Sequence, residues 1–218
     1  MSSADDTAVS PSLTSLKDGS TDSGAVETYY DDWAGTYDDT LASWDYQAPR
    51  DAVDQLVPHL AEGARVLDVG CGTGLVADAV LGRGRYRLDG MDISAASLAL
   101  AEKRGGYGHL VRHDLQIVPL PIADDAYDAA ACVGVLTYIE APEALLSDMC
   151  RVVRPGGTLC FTQRTDRWEE KGFDALLERM EQQGLWTVLT VSEPKPYLPS
   201  NSDYGESIKV IHVTCRVR

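Results

Sequence analysis

The chain has 218 residues, 44% of them hydrophobic, enough for one domain with a sizeable core, and its 34 acidic against 19 basic residues give a formal charge of -15. That charge makes phosphate-rich partners a poor match, so nucleic acid is disfavoured; the carboxylates form either a solvated surface, as in a salt-tolerant protein, or an attraction for a cationic substrate. No apolar run approaches about 18 residues and the first residues lack the basic-then-apolar pattern of a secretory signal, so a cytoplasmic, monomeric or homodimeric protein with no membrane partner is expected.

In chain order, residues 1–24 are rich in Ser, Thr, Asp and Gly and predict a flexible tail, leaving residues 25–218 as a single domain. From Ala25, Tyr29, Trp33, Tyr37 and Leu41 recur every four residues, with Tyr30 beside them, the spacing of one helix face. That stripe either packs on the domain or forms a lid over a ligand. A second helix carries Ala52, Val53, Leu56, Val57 and Leu60 on one face, with Pro49 at its start. The two helices, residues 25–62, precede the first strand.

The alternation that follows predicts strand 65–69, helix 75–81, strand 86–91, helix 95–104 with Ser94 as N-cap, strand 109–112 and strand 126–133, the last small and apolar enough to be buried on both faces. A helix over 142–153 ends at Pro155-Gly156-Gly157, and strand 158–162, helix 173–183 and strands 186–191 and 208–217 complete a seven-stranded α/β arrangement. The polar connection from Glu193 to Glu206, with three prolines, is either a rim over a pocket or a plain surface loop. Five cysteines, Cys71, Cys132, Cys150, Cys160 and Cys215, form no C-x-x-C pair and read as small buried thiols.

The chemistry concentrates in Val66-Leu67-Asp68-Val69-Gly70-Cys71-Gly72-Thr73-Gly74-Leu75, a buried strand, a glycine turn and a helix start. Alternate glycines let a ligand approach main-chain atoms, the way a doubly wound sheet holds an adenosine group at the carboxyl ends of its strands. Leu75 stands where a dinucleotide fingerprint needs its third glycine, and the loop has no lysine to hold a triphosphate, so NAD and ATP are both poor fits. Asp68 before the turn would repel a pyrophosphate and welcome an ammonium group, which fits S-adenosylmethionine. Cys71 is a small filler within that loop. Asp92, at the tip of the second strand, either accepts both ribose hydroxyls or serves as a helix N-terminal charge, and Ile93 beside it would lie on the adenine.

Asp68, Gly70, Gly72 and Gly74 resemble the first motif of the class I S-adenosylmethionine-dependent methyltransferases. Tyr30-Asp31-Asp32-Trp33-Ala34, Tyr37-Asp38 and Tyr46-x-Ala48-Pro49-Arg50 resemble the opening of the Williams-Beuren syndrome region methyltransferase-like family, and the likeness runs over roughly residues 28–190. The resemblance implies a Rossmann-like doubly wound sheet of order 3-2-1-4-5-7-6, its last strand antiparallel, with helices on both faces and an N-terminal helical lid. It further implies that Asp114 accepts from the adenine amine while the Leu115 amide meets a ring nitrogen, and that Val133 to Tyr138, Leu136 included, borders the methionine part of the cofactor. Tyr37 would close over the cofactor; Arg50 would pair with its carboxylate or be an ordinary surface arginine.

The reaction so implied is methyl transfer to the O, N or S atom of a small molecule, an in-line displacement for which alignment and water exclusion matter most. Tyr46, Tyr138 and Gln163 are the candidate catalytic residues on the acceptor side, with Arg164 and Arg167 near them. No Asp/Asn-Pro-Pro-Tyr motif supports a base or amide target, and no cluster has metal-ligand spacing. A regulatory domain that binds the cofactor or its demethylated product without turnover, and a protein methyltransferase, are the alternatives.

Overall fold

The computed structural model describes residues 19–202, 204 and 207–218. A long helix α1 (Ser23–Ser43) is capped by Asp22, whose Oδ1 accepts from the Ala25 amide at 2.7 Å, and a shorter α2 (Ala48–Leu56) starts with Pro49 in its first turn. Buried Ala48, Pro49, Ala52, Val53 and Leu56 make one face of α2. The helix stops before Pro58, which lacks a backbone donor, so Val57 continues only as a 3-10 turn and Leu60 leaves the helix.

Strand β1 (Arg65–Val69), helix α3 (Leu75–Leu81) and strand β2 (Arg87–Asp92) form the first parallel crossover. Helix α4 (Ala95–Arg104) follows, capped by Ser94, whose Oγ accepts from the Ser97 amide at 3.0 Å, a device worth about 1 kcal/mol. It leads to β3 (Tyr107–Arg112) and β4 (Tyr127–Cys132). Helix α5 (Pro142–Val152) passes directly into β5 (Val153–Arg164), so Pro155-Gly156-Gly157 lies within the strand's entry instead of in a separate break, and the β4–β5 register shifts there. A short α6 (Thr165–Glu170), absent from the sequence reading, buries Trp168 before α7 (Phe173–Gln182).

The chain ends with β6 (Trp186–Val191), a two-residue strand β7 (Lys195–Pro196) and β8 (Lys209–Val217). The sheet order is β3-β2-β1-β4-β5-β8-β6, with β8 antiparallel to both neighbours and β7 attached to its edge. With β7 left uncounted this is the order the resemblance implies; the eighth strand arises because the proline-rich connection makes two ladder pairings.

One core lies on the sheet face covered by α5 and α7 and includes Leu67, Val69, Met91, Leu146 and Phe161; the other, under α2 and α3, includes Val66, Val76, Val80 and Leu88. A third cluster joins Leu41 of α1 to Leu198, Tyr204 and Ile208, so the connection before β8 packs on the N-terminal helix. All five cysteines are buried and unpaired. Among the described residues no helix is long and apolar enough to cross a membrane. Of the expected tail over residues 1–24, residues 1–18 lie outside the described residues, whereas Thr21 already meets the domain through its carbonyl, which accepts from Gln116 Nε2 at 2.8 Å, and Ser23 and Gly24 begin α1.

Candidate functional site

The floor of the site is the turn between β1 and α3. Gly70, Gly72 and Gly74 all have positive φ, at +77°, +52° and +99°, so the chain reverses in a space that side chains would obstruct. The amides of Gly70 and Cys71 donate to the Met91 carbonyl at 2.8 and 2.9 Å, which ties the turn to the end of β2. The Gly72 amide donates to Asp92 Oδ2 at 2.8 Å, and the Ser94 amide donates to Asp92 Oδ1 at 2.9 Å. Burial raises the Asp92 carboxyl above its usual range, while the amides of Ser94, Gly72 and Ile93 pull it down.

The glycines differ in what a side chain would meet. A Cβ on Gly70 would lie 2.2 Å from Val135 Cγ2, and one on Gly74 would meet Arg104 and Tyr107, whereas nothing lies within 4 Å of a Cβ on Gly72. Gly72 therefore presents bare backbone to open space. That space is a cavity at the carboxyl edge of the sheet.

Of the residues singled out in the sequence, Tyr37, Gly70, Gly72, Asp92, Ile93, Asp114, Leu115, Val133 and Tyr138 line this cavity. Ser23, Val26, Tyr30, Ser97, Gln116, Gly134, Val135 and Ile139 line it too. Tyr30 belongs to the helix stripe already noted and Gly134 follows a strand of small residues, so both carried a sequence signal; Ser23, Ser97 and Gln116 carried none.

The remaining candidates stand elsewhere. Leu136 is fully buried in the core under α5, which removes it from the cavity wall. Arg50 is exposed because α2 buries the opposite face; it lies in a separate recess with Asp38, Leu75 and Asp78, so the structure does not bring it to the main cavity. Gly74 caps α3, and Cys71 packs its sulfur against Gly90, with burial pushing its thiol far up. Gln163 is 1% exposed; its Oε1 accepts from Thr137 Oγ1 at 3.1 Å and from the Arg164 amide at 2.9 Å, while Nε2 has no partner.

The roof is α1 together with the segment leading into it. Asp31 Oδ1 accepts from Ser94 Oγ at 2.6 Å and from the Ala96 amide at 3.1 Å. Asp38 accepts from Thr73 Oγ1 at 2.5 Å and pairs with Arg104, and Glu27 pairs with Arg112. Gln116 joins three pieces of the rim: Nε2 donates to the Thr21 and Tyr138 carbonyls at 2.8 and 2.9 Å, and Oε1 accepts from the Glu140 amide at 3.1 Å.

Beyond Gly134 the roof turns aromatic. The Tyr46 hydroxyl would lie 3.0 Å, and the Tyr197 hydroxyl 3.8 Å, from a Cβ on Gly134. Tyr30 and Tyr138 meet edge to face with ring centroids 5.7 Å apart, as do Tyr46 and Tyr197 at 5.5 Å. Burial raises the phenols of Tyr30, Tyr37, Tyr46, Tyr138 and Tyr197, so all five stay neutral hydrogen-bonding groups. Arg164, 3% exposed, binds Asp166 through Nε at 3.0 Å and Nη2 at 2.6 Å and lies over the Tyr204 ring.

Asp68 is 0% exposed and lies beneath the glycine turn. Burial pushes its carboxyl up to about 7, against the Tyr107 hydroxyl, which pulls it down, and with the Asp92 charge, which adds to the rise. Among the described residues no basic side chain lines the cavity. Among the described residues no group of three or more His, Cys, Asp or Glu is placed to hold a metal ion. The arrangement offers the bare backbone of Gly72 and two carboxylates, Asp92 and Asp114, around an apolar space, a combination suited to a nucleoside with a positively charged appendage.

Comparison with known proteins agrees with this geometry. Residues 67–161 match the methyltransferase domain family. The chain is 38% identical over 167 residues to human methyltransferase-like protein 27, covering 74% of this chain and 68% of that protein. It is 31% identical over 140 residues to the malonyl-[acyl-carrier protein] O-methyltransferase of Serratia marcescens, covering 63% of this chain and 52% of that one. A similar fold occurs in a Haloferax volcanii putative methyltransferase in complex with the Trm112 methyltransferase activator, with TM-score 0.67 and 17% identity over 88% of this chain and 97% of that one.

Proposed function

Because the chain belongs to the class I S-adenosylmethionine-dependent methyltransferases, we propose that it transfers the methyl group to a small molecule held under the tyrosine roof. The carrying observation is the roofed cavity itself: its floor is Gly72 and Asp92, and its roof, α1, is fastened down through Asp31 and Asp38. A polypeptide target would need an open groove, and the acidic chain is a poor partner for nucleic acid. In this reading residues 25–218 work as one domain, with residues 25–62 as its lid.

The residues fit the cofactor. Gly72 leaves a cradle that a Cβ would fill, Asp92 has oxygen lone pairs left beyond its backbone contacts, and Asp68 Oδ1 is a buried acceptor without a partner among the described residues. When bound, S-adenosylmethionine supplies an activated methyl group on a cationic sulfur. Asp92 would accept from the ribose hydroxyls, Ile93 and Leu115 would flank the adenine, and Asp114 would accept from its amine. Gly70, Cys71 and Gly72 would give backbone contacts to the amino acid end, with Val133 and Gly134 beside it and Tyr37 closing above.

On the acceptor side Tyr138 and Tyr46 would orient the nucleophile and exclude water, the main work of an in-line displacement. Neutral phenols can donate to the acceptor or accept from it, but they cannot act as strong bases at neutral pH. Gln163, held by Thr137, would support that wall from behind. The O-methyltransferase relative supports an oxygen nucleophile.

The test is turnover: purified protein with S-adenosylmethionine and panels of small hydroxy, carboxylic, amino and thiol compounds, read by S-adenosylhomocysteine formation. Turnover on a small compound is expected. Methylation of basic peptides alone would replace this reading with a protein target.

A further inference from the structure

Buried Asp68 and half-buried Tyr107 form a pair that the family motif does not explain. Tyr107 begins β3, yet its hydroxyl donates to Asp68 Oδ2 on β1 at 2.6 Å, passing the intervening strand β2. On that strand Gly90 stands in register between Asp68 and Leu110. A Cβ there would strike Cys71 Sγ and Leu110 Cδ2, both at 2.9 Å. The Tyr107 ring also packs under Gly74, 3.3 Å from where a Cβ would stand, and Arg104 Nε beside it donates to the Thr73 carbonyl at 2.8 Å. One oxygen of Asp68 is thus held from behind the glycine turn, and the other, Oδ1, is buried without a partner.

Among the described residues, the titratable and charged side chains bearing on Asp68 are few. Cys71 and Cys132 are thiols that burial keeps protonated, Asp92 is an acid that repels a second charge, and Arg104 is committed to Asp38, Asp78 and the Thr73 carbonyl. Tyr107 is left as the donor that favours an ionised Asp68. A buried carboxylate with one satisfied oxygen and one orphan is costly until a cation or donor arrives.

We infer that Tyr107 is a positioning residue of the cofactor site: its hydroxyl holds Asp68 ready to ionise, so that binding of the cofactor's amino acid end is coupled to loss of a proton from Asp68. The inference rests on the proposed cofactor site. The proton leaves Asp68 for solvent as the ligand's ammonium group brings positive charge to the turn, and no covalent bond changes. Without the hydroxyl, Asp68 holds its proton to higher pH and binding must work against it.

Calorimetric titration with S-adenosylhomocysteine between pH 6 and 8.5 tests this on the wild type, Tyr107→Phe and Asp68→Asn, with buffers of different ionisation enthalpy to count protons. Tyr107→Phe keeps the ring packing, and circular dichroism and thermal melting verify its fold. The ligand's own amino group titrates alike in all three proteins, so differences between them report on Asp68. The wild type is expected to release a proton on binding near pH 6.5. Tyr107→Phe is expected to bind about fivefold to tenfold more weakly at pH 6.5 but within about twofold of wild type at pH 8.5, and Asp68→Asn is expected to lose the proton release. Superimposed profiles for wild type and Tyr107→Phe would overturn the inference while leaving the cofactor site intact. No binding by the wild type at any pH would overturn the cofactor site and the inference together.

Discussion

The floor of the cavity comes from residues 65–94, a single strand–turn–helix–strand run, while its roof is gathered from α1, Gln116 and Tyr138, with Tyr46 and Tyr197 beyond Gly134. Floor contacts are made mainly by backbone: loop amides on the Met91 carbonyl and on Asp92. Roof contacts are made by side chains such as Asp31, Asp38 and Gln116 reaching across the chain. A backbone-built surface depends on which positions are glycine; a side-chain-built surface depends on many pairings, each worth about 0.5 to 1.5 kcal/mol.

Breaking the floor should cost most. Gly72→Val should abolish S-adenosylmethionine binding, at least a hundredfold by calorimetry, because its Cβ projects into the cavity, and a β-branched residue at φ +52° should also lower stability by about 1 to 3 kcal/mol through backbone strain. Gly70→Val should lower the melting temperature further, since its Cβ would overlap Val135 on top of the same backbone strain.

The next largest effect lies under the floor. The folded-state carboxyl of Asp68, at about 7, stands above its unfolded value of about 4. The neutral acid is therefore what the fold accommodates, and its contribution is fully present below the unfolded value and is lost as pH rises through about 7. Wild-type stability without ligand, minus that of Asp68→Asn, should fall by about 2 to 4 kcal/mol between pH 4 and 8 in urea unfolding. A difference that rises with pH would refute the assignment.

Asp92→Ala removes the carboxylate that links floor to ligand and should weaken cofactor binding by about 1 to 3 kcal/mol. Unchanged affinity would remove the ribose role. On the roof, Asp31→Ala should cost about 1 kcal/mol of stability and raise the cofactor dissociation constant a few-fold, with faster release in stopped-flow measurements. Tyr46→Phe should leave cofactor affinity within about twofold and alter KM for the acceptor; the reverse pattern would move Tyr46 to the cofactor side.

The same contrast governs what could be read without the structure. The boundaries of β1, α3, α4 and β6 follow from local apolar pattern, caps and glycines, and the structure has them at the expected residues. Floor residues Gly70, Gly72 and Asp92 are legible because a turn and a strand tip are properties of adjacent residues. Arg50 was not, since whether it faces the cavity depends on how α2 rotates to bury Val53 and Leu56. Leu136 looked like wall because it follows a strand, but a 3-10 turn directs it into the core. Gln116 and Tyr197 were invisible because their importance arises only when segments distant in the chain meet.

The five buried thiols give the molecule a built-in clock. Cys132, Cys160 and Cys215 lie in central strands and are 0% exposed, so an alkylating reagent can reach them only after the sheet opens, and their modification rate follows global unfolding. Cys71 sits in the glycine turn, where a smaller opening suffices. Mass spectrometry of a timed alkylation would separate the two processes in one tube, and a ligand seated on the turn would retard Cys71 before it changed the rest.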